Sequence, residues 1–414
     1  MPVPDGSAPL DLSHVEWARE AGSQVVQTTP VFGSRWLSEA TAGPVVLKAE
    51  NLQRTGSFKI RGATAKLASL GDAAQAGTVA ASAGNHAQAV ALAAQAAGVS
   101  CEVFMPRGAS IGKVAATRSY GAGVRLEGES LEEALELATA RAAEAGLVLV
   151  HPFDDPAVIA GQATLGLEIV EQVPELARLV VPLGGGGLAG GVAFAVKALR
   201  PTVQVVAVQA AACAPFQASV AAHHPVAVEA PVATLADGIA VRRPGDLTLP
   251  LVERYVDAVV TVDENEIAAA MVMLLERAKL VVEGAGAVGV AAMAAPSRMP
   301  PPTAGGTTVV VLSGGNVDAN LLWPAIRRNE SLKGRRIVLW SRVSDRPGHL
   351  AKLLTCIGST GANIVDVVHL REGYDLEVRE TALHLTLETR DAAHAEAVMD
   401  ACRTAGYDVR RIGN

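Results

Sequence analysis

Between about residue 46 and residue 312, short runs of valine and leucine alternate with alanine-rich helical stretches. The pattern is carried by "GTVAASAGNHAQAVALAAQAAGV", "CEVFMP", "LVLVHPF", "LARLVVPLGGGGLAGGVAFAVKAL", "VQVVAVQA" and "TTVVVLSGG". Strand, glycine turn and helix repeated in this way predict βαβ units, hence an α/β fold with a parallel sheet whose ligands sit at the carboxyl ends of its strands. The pattern changes after "RRNESLKGRR", a polar and charged stretch that reads as a linker. Beyond it, "RIVLWSRV" alternates as a strand, "DRPGHLAKLLTCIGSTG" carries the start and stop signals of a helix, and "ANIVDVVHLRE" returns as a strand. A turn at "EGYD", a strand at "ETALHLTLET", a helix at "DAAHAEAVMDACRTAG" and a short "YDVRRI" complete a βαββαβ order, the ferredoxin-like arrangement. The expected boundaries are a first domain over 1–327 with a smaller subdomain at about 49–155, a linker over 328–335 and a second domain over 336–414.

Composition agrees with that reading and narrows the partners. At 414 residues the chain exceeds what one core usually supports, and its hydrophobic excess lies in alanine and valine with only 3% aromatic residues, as suits helices packed tightly on a buried parallel sheet. A formal net charge of -7 offers no broad basic face for nucleic acid, so small-molecule partners are expected. Cys101, Cys213, Cys356 and Cys402 lie far apart without CxxC or Cys/His spacing, which points to reduced, packed thiols in the cytoplasm. No export signal and no membrane span is visible.

Three glycine-bearing turns and one lysine carry candidate chemistry. Lys59 lies in "GSFKIRGA"; an ordinary lysine is protonated at neutral pH and solvated, so a nucleophilic role needs a desolvated pocket. "VPLGGGGLAGG", Val181 to Gly191, lies between a strand and a helix, where consecutive glycines let backbone N–H groups converge on one phosphate, or simply make a tight packing turn. A dinucleotide turn would want an acid about 20 residues on and a P-loop would want Gly-Lys-Ser/Thr; neither is present. "ASAGNHAQAVA", Ala81 to Ala91, again opens a helix, and its N–H groups and Asn85 can hold a carboxylate or an oxygen. His86 alone reads as a hydrogen-bonded structural histidine. Ser313 in "VLSGGNVD" could meet a ring nitrogen or cap a helix.

Taken together, "SFKIRGA", "SAGNHAQA", "PLGGGGLAGG", "VVEGAGA" and "LSGGNVD" closely resemble, in order and spacing, the serine/threonine dehydratases of the fold type II pyridoxal-phosphate enzymes. The resemblance covers most of residues 20–320. On "DRPGHLAKLL" and "GANIVDV" the tail resembles an ACT domain, and the whole chain looks like a threonine dehydratase with one C-terminal ACT domain. This implies a catalytic domain of two open α/β subdomains followed by the ferredoxin-like unit. It also implies that Lys59 carries pyridoxal 5'-phosphate through its amine, Phe58 packs beside the ring, and Gly184, Gly185, Gly186, Gly187 and Leu188 hold the phosphate. Asn85 is then expected at the ring hydroxyl and Ser313 at the pyridine nitrogen, with the loop Ser82, Ala83, Gly84, Asn85 and His86 on the substrate carboxylate. Elimination of water from L-threonine, or from L-serine, would leave a 2-oxo acid and ammonia, with Lys59 as the base at Cα and the cofactor phosphate as the acid for the departing hydroxide. A serine at the pyridine nitrogen favours elimination over transamination.

Some positions separate this chain from its relatives. Racemases of the family carry a serine where this chain has Ala83, and alanine cannot transfer a proton. Some relatives bind a divalent cation through a glutamate where Gln209 stands here, with Pro215 near the second expected acid, so no metal is expected. The neighbouring His223 and His224 read as solvated loop residues. Glu283 could face the active site or cap the following helix, and Asp237 takes no assigned role. Gly348, His349, Asn363 and Ile364 are the expected contacts of an amino-acid effector, isoleucine or valine, with a dimerisation module that has lost regulation as the alternative. A homodimer or homotetramer is expected. The rival readings are 3-hydroxyaspartate ammonia-lyase, which needs a further cation in the pocket beyond Arg61, serine racemase, and a non-catalytic amino-acid-binding regulator.

Overall fold

The computed structural model describes residues 10–229, 233–371 and 376–412; the turn expected at Glu372 to Asp375 lies outside them. The chain divides into two compact units, Met1–Leu321 and Leu322–Asn414. No helix among the described residues is long and apolar enough to cross a membrane.

The first unit holds two sheets. The larger has six strands in the order Val31–Gly33, Val45–Ala49, Thr307–Leu312, Leu176–Pro182, Gln204–Ala210 and Ala258–Val262. All its neighbours run parallel except the first pair. The apolar runs read from the sequence are its central strands: every residue of Gln204–Ala210 is buried, because helices cover both faces. The smaller sheet is parallel throughout, in the order Gly123–Leu126, Cys101–Met105, Thr78–Ala81 and Val148–Leu149.

Two helices fix the base of the site. Pro156–Gln172 starts on an Asp155 cap, whose carboxylate accepts from the N–H groups of Ala157 and Val158, with proline at its first position. It packs backbone to backbone against Lys59–Leu70: a Cβ on Gly161 would lie 2.5 Å from the Arg61 carbonyl oxygen, closer than any side chain allows. The helix that begins with Lys59 is thereby held rigidly against the larger sheet's cover.

In the second unit the strands Asn363–Leu370, Glu380–Glu388, Arg336–Ser344 and Asp408–Arg411 form an antiparallel sheet in that order. With the helices His349–Ser359 and Ala392–Thr404 this is the βαββαβ arrangement. Arg336–Ser344 buries every second residue, and Ile337, Leu339, Leu353, Leu383, Leu385 and Val398 fill the core. The stretch expected as a linker over 328–335 is helical for most of its length, because the helix Ala319–Leu332 runs through it. Ala325 and Asn329, four residues apart, bury one face of that helix, and only Lys333 to Arg335 turn towards the first strand of the sheet.

Candidate active site

A cavity of about 300 Å³ opens in the first unit. Its walls come from the segments that leave the carboxyl ends of parallel strands of both sheets: the 82–86 loop after Thr78–Ala81, Pro152 and Phe153 after Val148–Leu149, Gly185 after Leu176–Pro182, and Ser313 after Thr307–Leu312. Of the residues singled out from sequence, Phe58, Lys59, Ser82, Ala83, Gly84, Asn85, His86, Gly185 and Ser313 all line it. Gly184, Gly186, Gly187 and Leu188 do not; they form the turn behind Gly185, with Leu188 in the core.

Lys59 is half-buried and its Nζ donates to the Pro152 carbonyl oxygen at 2.7 Å, 5.3 Å from the centre of the Phe58 ring. The stem is accessible from the cavity, but the amine is enclosed: burial pushes its pKa down to about 8, against the opposing attraction of Glu283. At pH 7 roughly one such amine in ten is free of its proton, against fewer than about one in a thousand for an ordinary lysine. This is the desolvated lysine that a nucleophilic role requires.

Glu283 resolves the alternative left open in the sequence. It precedes the helix Gly284–Ala294 without capping it, and its Oε1 accepts from Asn85 Nδ2 at 2.6 Å. Burial and the charge of Asp237 push its carboxyl up to about 7, with the Asn85 hydrogen bond opposing. Asn316 completes the chain by donating from Nδ2 to Asn85 Oδ1 at 2.7 Å and to the Thr55 carbonyl oxygen at 2.6 Å. His86 is buried and its Nε2 lies 2.8 Å from the Val150 carbonyl oxygen. Since a carbonyl only accepts, Nε2 carries the proton, and burial followed by repulsion from Lys59 pushes the ring down to about 3. His86 is therefore neutral and structural.

The glycine turn exposes donors. Gly186 adopts φ +99°, a backbone open to glycine, and the helix Gly187–Leu199 follows. Among the described residues the amide N–H groups of Gly184 to Leu188 have no hydrogen-bond acceptor. A Cβ on Gly185 would lie 2.4 Å from the Phe153 ring and one on Gly186 2.6 Å from Thr248 Oγ1, so the turn admits no larger residue. Consecutive free amides at a helix N-terminus suit an anion with several oxygens.

Arg61, weighed from sequence as the pocket's cation, is elsewhere. Its guanidinium is bidentate to Glu50 at 2.7 and 2.9 Å and meets Glu168 at 2.7 Å. Besides Lys59, Lys113 is the cation that lines the cavity among the described residues, and it is already paired with Asp237 at 3.1 Å. Phe153, Pro152, Lys113 and Asn316 were missed in the sequence. The first two had a signal, since they follow "LVLV" at a strand's carboxyl end; Lys113, on the helix Ile111–Ser119, had none. Gln209 stands with its amide satisfied within the protein, donating to the Leu183 carbonyl at 3.4 Å and accepting from Phe216 N–H at 3.2 Å.

Residues 22–314, which include nearly all the cavity lining, match the family described as pyridoxal-phosphate dependent enzyme. The chain belongs to this family. An L-threonine ammonia-lyase of Thermotoga maritima is 45% identical over 405 residues, covering 98% of this chain and 100% of the relative. One from Geobacter sulfurreducens is 44% identical over 92% of this chain and 94% of its own length. Both matches extend into the second unit. Among solved structures, a threonine deaminase from T.th. has a TM-score of 0.70 at 40% identity, over 75% of this chain and 99% of that one. Maize serine racemase has a TM-score of 0.73 at 34% identity, over 78% of this chain and 99% of that one. The first unit thus has the fold of type II pyridoxal-phosphate enzymes, and the enzyme depends on that cofactor. The residues present fit it, because a lysine with a lowered pKa lines the cavity and the acceptor-free amides of the glycine turn reach its wall at Gly185.

Proposed function

We propose that the protein is a threonine ammonia-lyase, which converts L-threonine to 2-oxobutanoate and ammonia and L-serine to pyruvate and ammonia as a second activity. The observation that carries this reading is the enclosed Lys59 amine beside the glycine turn at the carboxyl ends of the strands. The names of the relatives at 44 and 45% identity support it. Lys59 holds the cofactor, Phe58 flanks its ring, the amides of Gly184 to Leu188 receive its phosphate, Asn85 meets the ring hydroxyl and Ser313 the ring nitrogen. The amides that open the helix Asn85–Ala97, with Ser82, receive the substrate carboxylate.

Pyridoxal phosphate, when bound, accommodates the electron pair left at Cα. Lys59, once free, is the nearest base for the Cα proton, and its lowered pKa keeps a usable fraction of it unprotonated at neutral pH. The Pro152 carbonyl holds the amine in place through one hydrogen bond. Glu283, buried and poised near 7, can keep a proton at neutral pH and so spares the pocket a second negative charge beside Asp237.

Two rivals differ from this in specific residues. Ala83 lines the cavity and can neither give nor take a proton, so L-serine is expected to yield pyruvate without D-serine; chiral chromatography of the reaction mixture checks this. A 3-hydroxyaspartate lyase needs a cation for the second carboxylate, and Lys113 is neutralised by Asp237. Incubating the purified protein with L-threonine, L-serine and 3-hydroxyaspartate, and measuring 2-oxo acid and ammonia, tests the assignment: equal release of both products from L-threonine is expected, and no release from holoprotein rejects it. Gly185→Ala is expected to lower cofactor retention at least about tenfold, because its methyl must displace the Phe153 ring; absorbance of the purified protein reads this.

The second unit is assigned to amino-acid regulation as an ACT domain. Gly348, at φ +88°, and His349 open the helix His349–Ser359, and Ile364 packs against the unit's core. Asn363 donates to Glu388 at 2.8 Å. A branched-chain amino acid contacting Gly348, His349, Asn363 and Ile364 would act by preferring one arrangement of a homodimer or homotetramer. We place the enzyme in the cytoplasm.

A further inference from the structure

The glycine turn is braced from outside the cavity by a relay that begins in the smaller sheet's last loop. His151 Nδ1 accepts the N–H groups of Phe153 at 3.3 Å and Asp154 at 2.8 Å, closing a tight turn. That turn lays the Phe153 ring against Gly185 and sends the Asp154 carboxylate to a distant helix, Thr248–Tyr255. There Asp154 Oδ1 accepts from the N–H groups of Leu247 at 3.0 Å and Thr248 at 3.2 Å, and Oδ2 from Asp246 at 3.0 Å. The helix has no side-chain cap of its own, so Asp154 supplies one from more than 90 residues away. Its first residue, Thr248, is fully buried. The hydroxyl donates to the Gly185 carbonyl oxygen at 2.6 Å and accepts from Gly245 N–H at 3.1 Å, and the same Gly245 N–H reaches the Gly185 carbonyl at a longer 3.5 Å.

The short hydrogen bond from Thr248, the stronger of the two on this carbonyl, has a directional consequence. The carbonyl of Gly185 and the N–H of Gly186 belong to the same planar trans peptide and point to opposite sides. With the carbonyl tied to Thr248, the Gly186 N–H is turned away from Thr248. Were the peptide to flip, a carbonyl oxygen would replace a donor among the free amides, and an oxygen lone pair would repel an anion there. The intrinsic freedom of glycine makes such a flip cheap unless something outside the turn prevents it.

We infer that Thr248 and Asp154 are positioning residues for the anion-binding turn: Asp154 caps the helix that presents Thr248, and Thr248 locks the Gly185–Gly186 peptide with its donor available. The inference rests on the reading that this turn receives the cofactor phosphate, and the experiment separates the two. Apoprotein is titrated with pyridoxal 5'-phosphate and, separately, with pyridoxal, which lacks the phosphate, following the absorbance of the bound form. Wild type is expected to prefer the phosphorylated ligand strongly. Thr248→Val, nearly the same shape without the hydroxyl, is expected to weaken pyridoxal 5'-phosphate binding about tenfold and leave pyridoxal unchanged, while Thr248→Ser stays within about twofold of wild type. Asp154→Asn, which exchanges one acceptor oxygen for a donor, is expected to weaken the phosphorylated ligand about threefold through the same path. Folded Thr248→Val with unchanged affinity for pyridoxal 5'-phosphate overturns the inference, and so does an equal loss for both ligands, which would mean general distortion. If Thr248→Val does not fold, an unchanged affinity in Asp154→Asn overturns it. Wild type that binds both ligands alike rejects the phosphate reading itself.

Discussion

Replacing Lys59 with alanine is expected to abolish release of 2-oxobutanoate and ammonia from L-threonine, with kcat lower by about 10⁴-fold or more. The site offers no substitute. His86 is held neutral with its proton on the Val150 side, Lys113 is paired with Asp237, Glu283 is tied to Asn85 by a 2.6 Å hydrogen bond, and Ala83 has no proton it can transfer. The loss should not come from unfolding, because Lys59 makes a single hydrogen bond, to the Pro152 carbonyl, and its helix is anchored by Arg61 and by the backbone contact at Gly161. The glycine amides are untouched, so the variant should still take up pyridoxal phosphate, more weakly and without a covalent link. Two measurements check this. Circular dichroism and cofactor absorbance should show a folded, ligand-binding protein, and a small added amine such as methylamine should restore a fraction of turnover. Residual activity within about tenfold of wild type would remove Lys59 from the role of base.

How far this site was legible depended on whether a side chain's direction could be read from its spacing. Lys59 and Arg61 are two residues apart in one motif, and from sequence both were candidates for the pocket. On a helix two residues turn the chain by about 200°, so Lys59 faces the cavity while Arg61 faces the helix Pro156–Gln172 and the carboxylates beneath it. The glycine turn was legible as a candidate anion site or a tight packing turn because consecutive glycines between a strand and a helix permit both; its brace was not legible, since Asp154 and Thr248 meet only through the fold. Glu283 was ambiguous for a similar reason, as a residue before a helix can cap it or point away, and only the position of Asn85 decides. The second unit's strands were plain from their alternation. The end of the preceding helix reads as a linker from sequence because polar and charged residues dominate "RRNESLKGRR", whereas the buried pair Ala325 and Asn329 sets the helix's face.

The largest effect on stability is expected from Arg61→Leu. Arg61 and Lys48, with Glu50 and Glu168, make a buried group of two cations and two carboxylates that ties the strand Val45–Ala49 to the helices Lys59–Leu70 and Pro156–Gln172. Lys48 is fully buried, held by Glu168 at 2.7 Å and by the Thr29 carbonyl at 2.7 Å. Burial alone would lower the Arg61 pKa, but Glu50 and Glu168 hold it above the usual guanidinium value. In turn, burial alone would raise Glu168, and Arg61 and Lys48 hold it below the usual carboxylate range. Removing Arg61 leaves the group with one cation for two buried carboxylates and should cost about 3–5 kcal/mol, because an uncompensated buried charge outweighs the apolar contact a leucine adds. The sign with pH is definite. A depressed carboxylate contributes stability that is present above its unfolded pKa and lost as pH falls through the folded value, so wild type loses this contribution in acid. In the variant the excess carboxylate takes up a proton more readily than in the unfolded chain, so its penalty shrinks as pH falls. Thermal melts of wild type and Arg61→Leu should therefore lie far apart at pH 8 and closer at pH 5. A gap that widens towards acid would mean that Glu50 and Glu168 are not the charges Arg61 offsets. The same variant should lose turnover only as far as its helix moves Lys59, since Arg61 touches neither the cavity nor what binds there.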